Sequence, residues 1–349
     1  MYAMAALAGV AYASSGIDLI PNRTPWIGYL DECSVFAVAF SLAFVRSGHW
    51  PVPATMPDWA RFRVRVLRAD LGNFFFIQHR HVDGFLVSGK NSGSHWLKYM
   101  LSAGLAVQHG IEPPAHSTGQ DAEDIIGHPA RSRRYADVPR IGTTHTIPSA
   151  LLRYVPRVLA RRPPIVLLLR AIDAAMLSNY TKWQAQYETS LADYARGDPS
   201  GRRFVADIWW YVHFFNRWGE WAEADPARIL VVRYEDLVAA PAVWVPRIAA
   251  HLNLEFSDVA LREALRFTSK QAIRDRQDPN AGEVIVPDDA SVPRAAFDER
   301  DMQAMSAILA RYLRHDFGYR TLAAREGAIG TPAGPAARRP QETRPLGPP

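Results

Sequence analysis

The stretch that most constrains this chain is Phe85-Leu86-Val87-Ser88-Gly89-Lys90-Asn91-Ser92-Gly93-Ser94-His95-Trp96-Leu97. Phe85 to Val87 is an apolar run that reads as a buried strand. It breaks into a small polar loop from Gly89 to Ser94. Apolar residues then recur at Trp96, Leu97, Met100, Leu101 and Leu105, which is helical spacing. A strand passing through a glycine loop into a helix aims backbone N–H groups and a helix N-terminus at an anion, above all a phosphate. Lys90 adds a point charge there, in a chain with only 4 lysines among its 40 basic residues. The bland alternative is an ordinary strand–turn–helix connection, and the rest of the chain decides between the two.

The loop approaches the phosphate-binding pattern of ATP-dependent enzymes: Gly84, four residues, Gly89-Lys90, then Asn91 in place of the Ser or Thr that holds Mg²⁺. The strand-like residues between the glycines and the missing hydroxyl count against that pattern, and an ATP-dependent kinase remains as an alternative reading. Ser92-Gly93-Ser94-His95-Trp96-Leu97 instead resembles the phosphosulfate loop of sulfotransferases that use 3′-phosphoadenosine 5′-phosphosulfate (PAPS), where a Lys-Ser-Gly-Thr-Thr-Trp type of sequence follows the strand. Asn91 stands at that family's lysine position, and Lys90 lies one residue earlier.

Ile165-Val166-Leu167-Leu168-Leu169 is a continuous apolar run that suits a central parallel strand. It ends in Arg170-Ala171-Ile172-Asp173, and a helix carrying Ser178 follows. A guanidinium at the C-terminal end of such a strand suits bidentate phosphate recognition. The block resembles the same family's strand-Arg-x-x-Asp-x₄-Ser pattern, with Ala171-Ile172 replacing the usual Asn-Pro. The resemblance implies that Arg170 and Ser178 grip the nucleotide's 3′-phosphate. Arg228 to Leu237, a strand ending in Tyr234-Glu235-Asp236-Leu237 before a helix from Pro241, and the closing segment Phe297 to Tyr319 also resemble family blocks of architectural rather than chemical role.

Ile141-Gly142-Thr143-Thr144-His145-Thr146-Ile147-Pro148 reads as a short strand leaving the core. It resembles the family's Thr-His-x-x-Pro segment, whose histidine is the base. Removing a hydroxyl proton as attack proceeds suits an imidazole at neutral pH. A structural strand-end histidine is the alternative, and His95 in the loop is the rival base.

The resemblance covers about residues 82–322. It implies an α/β fold, a P-loop-like parallel sheet flanked by helices. The implied function is transfer of a sulfuryl group from PAPS to an acceptor alcohol, without a metal. His145 and Lys90 are the catalytic candidates. Gly89, Lys90, Asn91, Ser92, Gly93, Ser94, His95, Trp96, Arg170 and Ser178 are the candidates for binding the co-substrate. Trp96 packs on adenine in that reading, or in the core. A third 3′-phosphate contact from the 268–294 loop is left open, and the 111–140 and 187–203 loops carry no motif that identifies the acceptor.

A chain of 349 residues allows one domain of this kind with extensions, and 48% hydrophobic content is that of a globular protein. The single cysteine, Cys33, excludes an internal disulfide framework. The charge of +5 is local: Arg61, Arg63, Arg65, Arg68 and Arg80 against Asp70 give +4 in one stretch. That argues against a broad nucleic-acid face. Residues 323–349, rich in Pro, Gly, Ala and Arg, read as a disordered tail.

Residues 1–50 form a different unit, with apolar runs over Met1–Ala13 and Cys33–Val45. Each is shorter than the roughly 20 residues that span a bilayer. Ala11-Tyr12-Ala13 would serve as a signal cleavage triplet, yet no Lys or Arg precedes the run. Asp18-Leu19-Ile20-Pro21 and Gly28-Tyr29-Leu30-Asp31 resemble the hairpin motif of a small bacterial domain of unknown function, the YkvA-like type, with Glu32 for its second Asp. That resemblance implies a membrane-associated helical hairpin. Residues 51–81 read as a basic linker, alternating from Phe62 to Val66 in a way that suits a strand or a helix. A basic stretch beside an apolar hairpin favours an anionic membrane surface, reached through residues 1–68. The expectation is a cytoplasmic enzyme held at the inner face of the membrane, with a lipid among the candidate acceptors. A catalytically silent membrane-tethering protein is the other alternative.

Overall fold

The computed structural model describes residues 53, 55–73, 75–117, 120–132, 134–150, 152, 163–267, 269–276 and 296–319. The hairpin expected over residues 1–50 and the tail from 323 lie outside them, as does most of the 268–294 loop. In chain order the elements are helices α1 (Asp58–Gly72) and α2 (Phe75–Gln78), strand β1 (Gly84–Ser88), helices α3 (Ser94–Gln108) and α4 (Gln120–Ile125), and strands β2 (Ile126–Gly127), β3 (Ile141–Thr144) and β4 (Ile165–Leu169). Helices α5 (Ile172–Tyr187), α6 (Leu191–Arg196) and α7 (Ile208–Ala224) follow, then strand β5 (Ile229–Arg233), and helices α8 (Tyr234–Ala239), α9 (Pro241–His251), α10 (Asp258–Leu265), α11 (Lys270–Arg274) and α12 (Glu299–Tyr312).

The five strands form one sheet in the order β2-β3-β1-β4-β5, every neighbouring pair parallel. This is the helix-flanked parallel sheet that the family resemblance implies. Both faces of the sheet are covered, which explains why β1 and β4 are apolar at every position but the last of β1. Phe85, Val87, Ile165, Leu167 and Leu169 pack on one side with α7 and α12. Leu86, Val166, Leu168 and Val232 pack on the other with α3 and α9.

The basic stretch ahead of the sheet is helix α1, docked on the first of these layers. Phe62 is buried in the core and Val66, one turn on, packs against it. Asp70 accepts both 2.9 Å bonds of the Arg217 Nη2 group, and Arg65 donates to the buried Asp207 at 3.1 Å. Arg61 pairs with Asp58. The stretch is therefore partly spent on the protein itself, and its outward face carries Trp59, Arg63 and Leu67.

His213, on α7, is 4% exposed and meets the edge of Phe62. Burial, then the charges of Arg217 and Arg65, push its pKa down to about 3. The folded protein thus holds it neutral, and below its ordinary pKa only the unfolded chain takes the proton. Its contribution is intact above pH ~6.5 and is lost as pH falls, amounting to about 2 kcal/mol between pH ~8 and ~5. His213→Phe should therefore lose less thermal stability across that range than the natural protein. Parallel Tm–pH curves for the two would refute this origin.

Candidate active site

Strand register sets the site. β1 lies between β3 and β4, with Val87 opposite Thr144 and Ser88 opposite Leu168. The three strands therefore end together. The 89–93 loop leaves β1, His145 follows β3, and Arg170 follows β4, all at the carboxyl edge where open α/β sheets bind ligands. His145 Nδ1 lies 2.9 Å from the Ser88 carbonyl oxygen and 3.1 Å from its hydroxyl. Arg170 Nη1 donates to the Asn91 carbonyl at 3.1 Å.

The loop turns through two left-handed residues, Asn91 at φ 56° and Gly93 at φ 88°. Gly93 is the N-cap of α3, so no cap side chain occupies the first-turn N–H groups. A Cβ there would sit 2.6 Å from the Tyr234 ring, so the position needs glycine for space as well as for conformation. The Lys90 carbonyl accepts from the Tyr211 hydroxyl at 2.8 Å. Tyr211 is fully buried, and burial pushes its pKa up, so the hydroxyl stays a donor.

Lys90 Nζ donates to the Val205 carbonyl at 3.0 Å and lies 5.7 Å from the centre of the Trp210 ring. Desolvation, then the charges of Arg65 and Lys182, lower its pKa. The Asn91 side chain points elsewhere, with Oδ1 accepting from Asn179 at 2.9 Å. Ser178 precedes Asn179 on α5 and is part-exposed, as are Ser94 and His95 at the start of α3. Trp96 is buried in the core, where its indole N–H donates to the Phe267 carbonyl at 2.7 Å and its ring meets Tyr234 edge-on.

Several residues that shape this region either carry no motif or lie in the blocks read as architectural. Glu235 Oε1 accepts the Ala171 N–H at 3.1 Å, fixing the backbone just after Arg170, and Tyr319 donates to its other oxygen. The Arg170 guanidinium lies 5.0 Å from the centre of the Tyr234 ring. Asn179 and Tyr211 hold the loop from beneath. The only sequence signal for Asn179 is an amide in the less polar stretch of α5. The glycine N-cap, the half-buried Lys90 and the anchored Arg170 make an electropositive cradle for an anion, so the residues present fit a phosphate-bearing group. Among the described residues no cluster of His, Cys, Asp or Glu is gathered for a metal ion.

The chain is similar to mouse sulfotransferase SULT7A1 complexed with PAP at 16% identity, covering 74% of this chain and 93% of that one, with a TM-score of 0.44. Against retinol dehydratase in complex with retinol and PAP the identity is 15%, the coverage 67% and 83%, and the TM-score 0.39. Against the sulfotransferase domain of the Synechococcus PCC 7002 olefin synthase these values are 16%, 64% and 93%, and 0.34. No curated protein matches the sequence. The model of the sulfotransferase domain matches residues 82–291, which contain all five strands, the glycine loop, His145 and Arg170. By that match over more than half its length, the chain belongs to the sulfotransferase domain family and is an enzyme of that class.

Proposed function

We propose that this sulfotransferase uses PAPS as donor and an alcohol as acceptor. The observation that carries the reading is the convergence of the 89–94 loop, His145 and Arg170 at one edge of the sheet, where Ser88 contacts His145 and Asn91 contacts Arg170. When bound, PAPS supplies the sulfuryl group on a phosphate leaving group. The loop N–H groups and the Lys90 ammonium stabilise negative charge that builds on the phosphate side, and they are oriented before reaction rather than during it. Arg170 and Ser178 hold the 3′-phosphate, with the guanidinium pre-positioned by Asn91 and Tyr234. His95 stands at the start of α3, beside the donor. His145 takes the acceptor's proton. Its Nδ1–H donates to the Ser88 carbonyl, which leaves the basic lone pair on Nε2.

Separate substitutions should divide these roles. Arg170→Ala and Ser178→Ala should weaken adenosine 3′,5′-bisphosphate far more than adenosine 5′-phosphate, by about a hundredfold for the arginine. His145→Ala should lower turnover by about 10²- to 10⁴-fold and leave nucleotide affinity nearly unchanged. Equal losses for both nucleotides would sink the 3′-phosphate assignment, and turnover within a few-fold of normal would move the base to His95.

Lys90 is the charged residue of the loop even though it stands one residue before the family position. Lys90→Ala should be strongly impaired, and Asn91→Lys should not restore it. The Asn91 side chain faces Asn179, so a lysine there would press an ammonium toward a buried amide and two tyrosines. Restored turnover in the double variant would show that the family register applies and that Lys90 only assists.

The outward face of α1 favours a location as well. Trp59 is 53% and Leu67 48% exposed, with Arg63 exposed between them on the same side. No described helix is long and apolar enough to cross a membrane. We place the enzyme peripherally at the inner face of the cytoplasmic membrane, with residues 1–50 adding to the contact and a lipid or membrane-delivered hydroxyl as acceptor. The full chain should sediment with anionic vesicles more than with neutral ones, less so in high salt, and less after Trp59→Ser with Leu67→Ser. A chain that ignores vesicles of either kind removes the basis for a lipid acceptor.

A further inference from the structure

The hydrogen bonds beneath the loop close into a ring. Asn179 is 1% exposed, at the middle of α5. Its Nδ2 donates to Asn91 Oδ1 at 2.9 Å. Its Oδ1 accepts from the Tyr187 hydroxyl at 2.8 Å and lies 3.1 Å from the Tyr194 hydroxyl. The Tyr187 oxygen in turn accepts the Val205 N–H at 3.2 Å, and the Tyr194 hydroxyl lies 2.8 Å from the Ala206 carbonyl. Lys90 closes the ring through its 3.0 Å bond to the Val205 carbonyl. Two consecutive loop residues are thus joined to Val205 and Ala206, Lys90 directly and Asn91 through one amide and two phenols.

The inventory of the ring is tight. Tyr187 uses its one proton on Asn179 and a lone pair on Val205. Desolvation raises the pKa of both tyrosines, so both keep that proton. Asn91 holds a left-handed backbone, which L side chains disfavour and asparagine tolerates better than most, and a partner from across the fold holds its side-chain amide. Asn179 is that partner. The same loop peptide is gripped from the other side by Arg170. A shift of Asn91 would therefore move the anion cradle and the Arg170 guanidinium together.

We propose that Asn179 is a positioning residue of the donor site, one that fixes Asn91 in its left-handed turn and ties the glycine loop to Val205 and Ala206. It acts without touching the nucleotide. The proposal rests on the reading of the 89–94 loop as the donor site.

The test is a double-mutant cycle on the full chain, with adenosine 3′,5′-bisphosphate as the titrated probe and the Tm of each variant recorded beside it. Asn91→Ala and Asn179→Ala should each weaken the probe by about tenfold, and the double variant should be no weaker than either single. Asn91→Gly placed in the Asn179→Ala background should recover part of the affinity, because glycine takes the left-handed turn unaided. A residue that only filled the core would not be rescued in this way. If Asn179→Ala does not fold, Tyr187→Phe serves in its place, since it keeps the aromatic side chain and deletes the hydroxyl's bonds to Asn179 and to the Val205 N–H. It should weaken the probe several-fold and speed amide hydrogen exchange at Val205. Additive losses in the cycle, or normal probe affinity in a folded Asn179→Ala or Tyr187→Phe protein, overturn the positioning role alone. A natural chain that does not bind the probe overturns the donor-site reading and this proposal with it.

Discussion

The pairing of β1 with β3 on one side and β4 on the other is the constraint on which everything else hangs. Parallel pairing aligns the strand ends. The three connections that leave β1, β3 and β4 are thereby delivered to one edge, where His145 reaches the end of β1 and Arg170 reaches the loop that follows it. A slip of one residue in either ladder would turn the apolar set of a strand to the opposite layer. Both layers are filled with large side chains, Trp209, Trp218 and Phe214 on one side and Tyr99, Leu97 and Met100 on the other. The register that carries Ser88 to His145 is thus fixed by packing well away from the site.

On that frame the loop is held by polar groups that packing alone would not supply. Tyr211, Asn179 and Arg170 bond three successive acceptors of the loop, the Lys90 carbonyl and the Asn91 side chain and carbonyl. Each of these bonds contributes only about 1 kcal/mol net. Leaving any of the buried partners unpaired would cost more, so the loop has few low-energy alternatives. Helix α1 reinforces the far end of the same region. Arg65 donates to both Asp207 and the Asp198 carbonyl, and Asp198 itself caps the backbone at Ser200, Arg202 and Arg203. Residues ahead of the matched family region therefore support the segment on which Lys90 rests.

Local patterns in the sequence carried much of this. Strand β4 spans the residues its apolar run implies, and β1 exceeds its run by one residue at each end. The glycine loop, Arg170 and His145 were legible because each sits at a strand end, where a change in pattern marks the element boundary. Helix α7 was not legible in the same way. Its residues Ile208 to Gly219 are buried almost all round, so no single apolar stripe marks it. Strand β2 has two residues and leaves no periodicity to read. The ties that position the site were beyond any local reading, because they join residues far apart in the chain: Arg65 to Asp207, Lys90 to Val205, Asn91 to Asn179. The arginines of the 61–68 stretch count as a basic run in sequence, yet Arg65 faces inward to a buried carboxylate.

The displaced lysine has a physical account in this geometry. At φ 56° the Asn91 backbone turns its side chain toward the Asn179 amide. A residue there must tolerate a left-handed turn, be short, be uncharged and accept a hydrogen bond, and asparagine meets all four conditions. A lysine meets none of the last three. The loop's positive charge must then come from a neighbour whose side chain leaves the buried cluster, and Lys90 does so, resting over Trp210 and on the Val205 carbonyl. Its lowered pKa carries the same message: an ammonium held among Arg65, Lys182 and partly desolvated surroundings gains most from an anion placed beside it. In the proposed donor site Asn91 would set the turn and Lys90, one residue before the family's lysine position, would supply the charge.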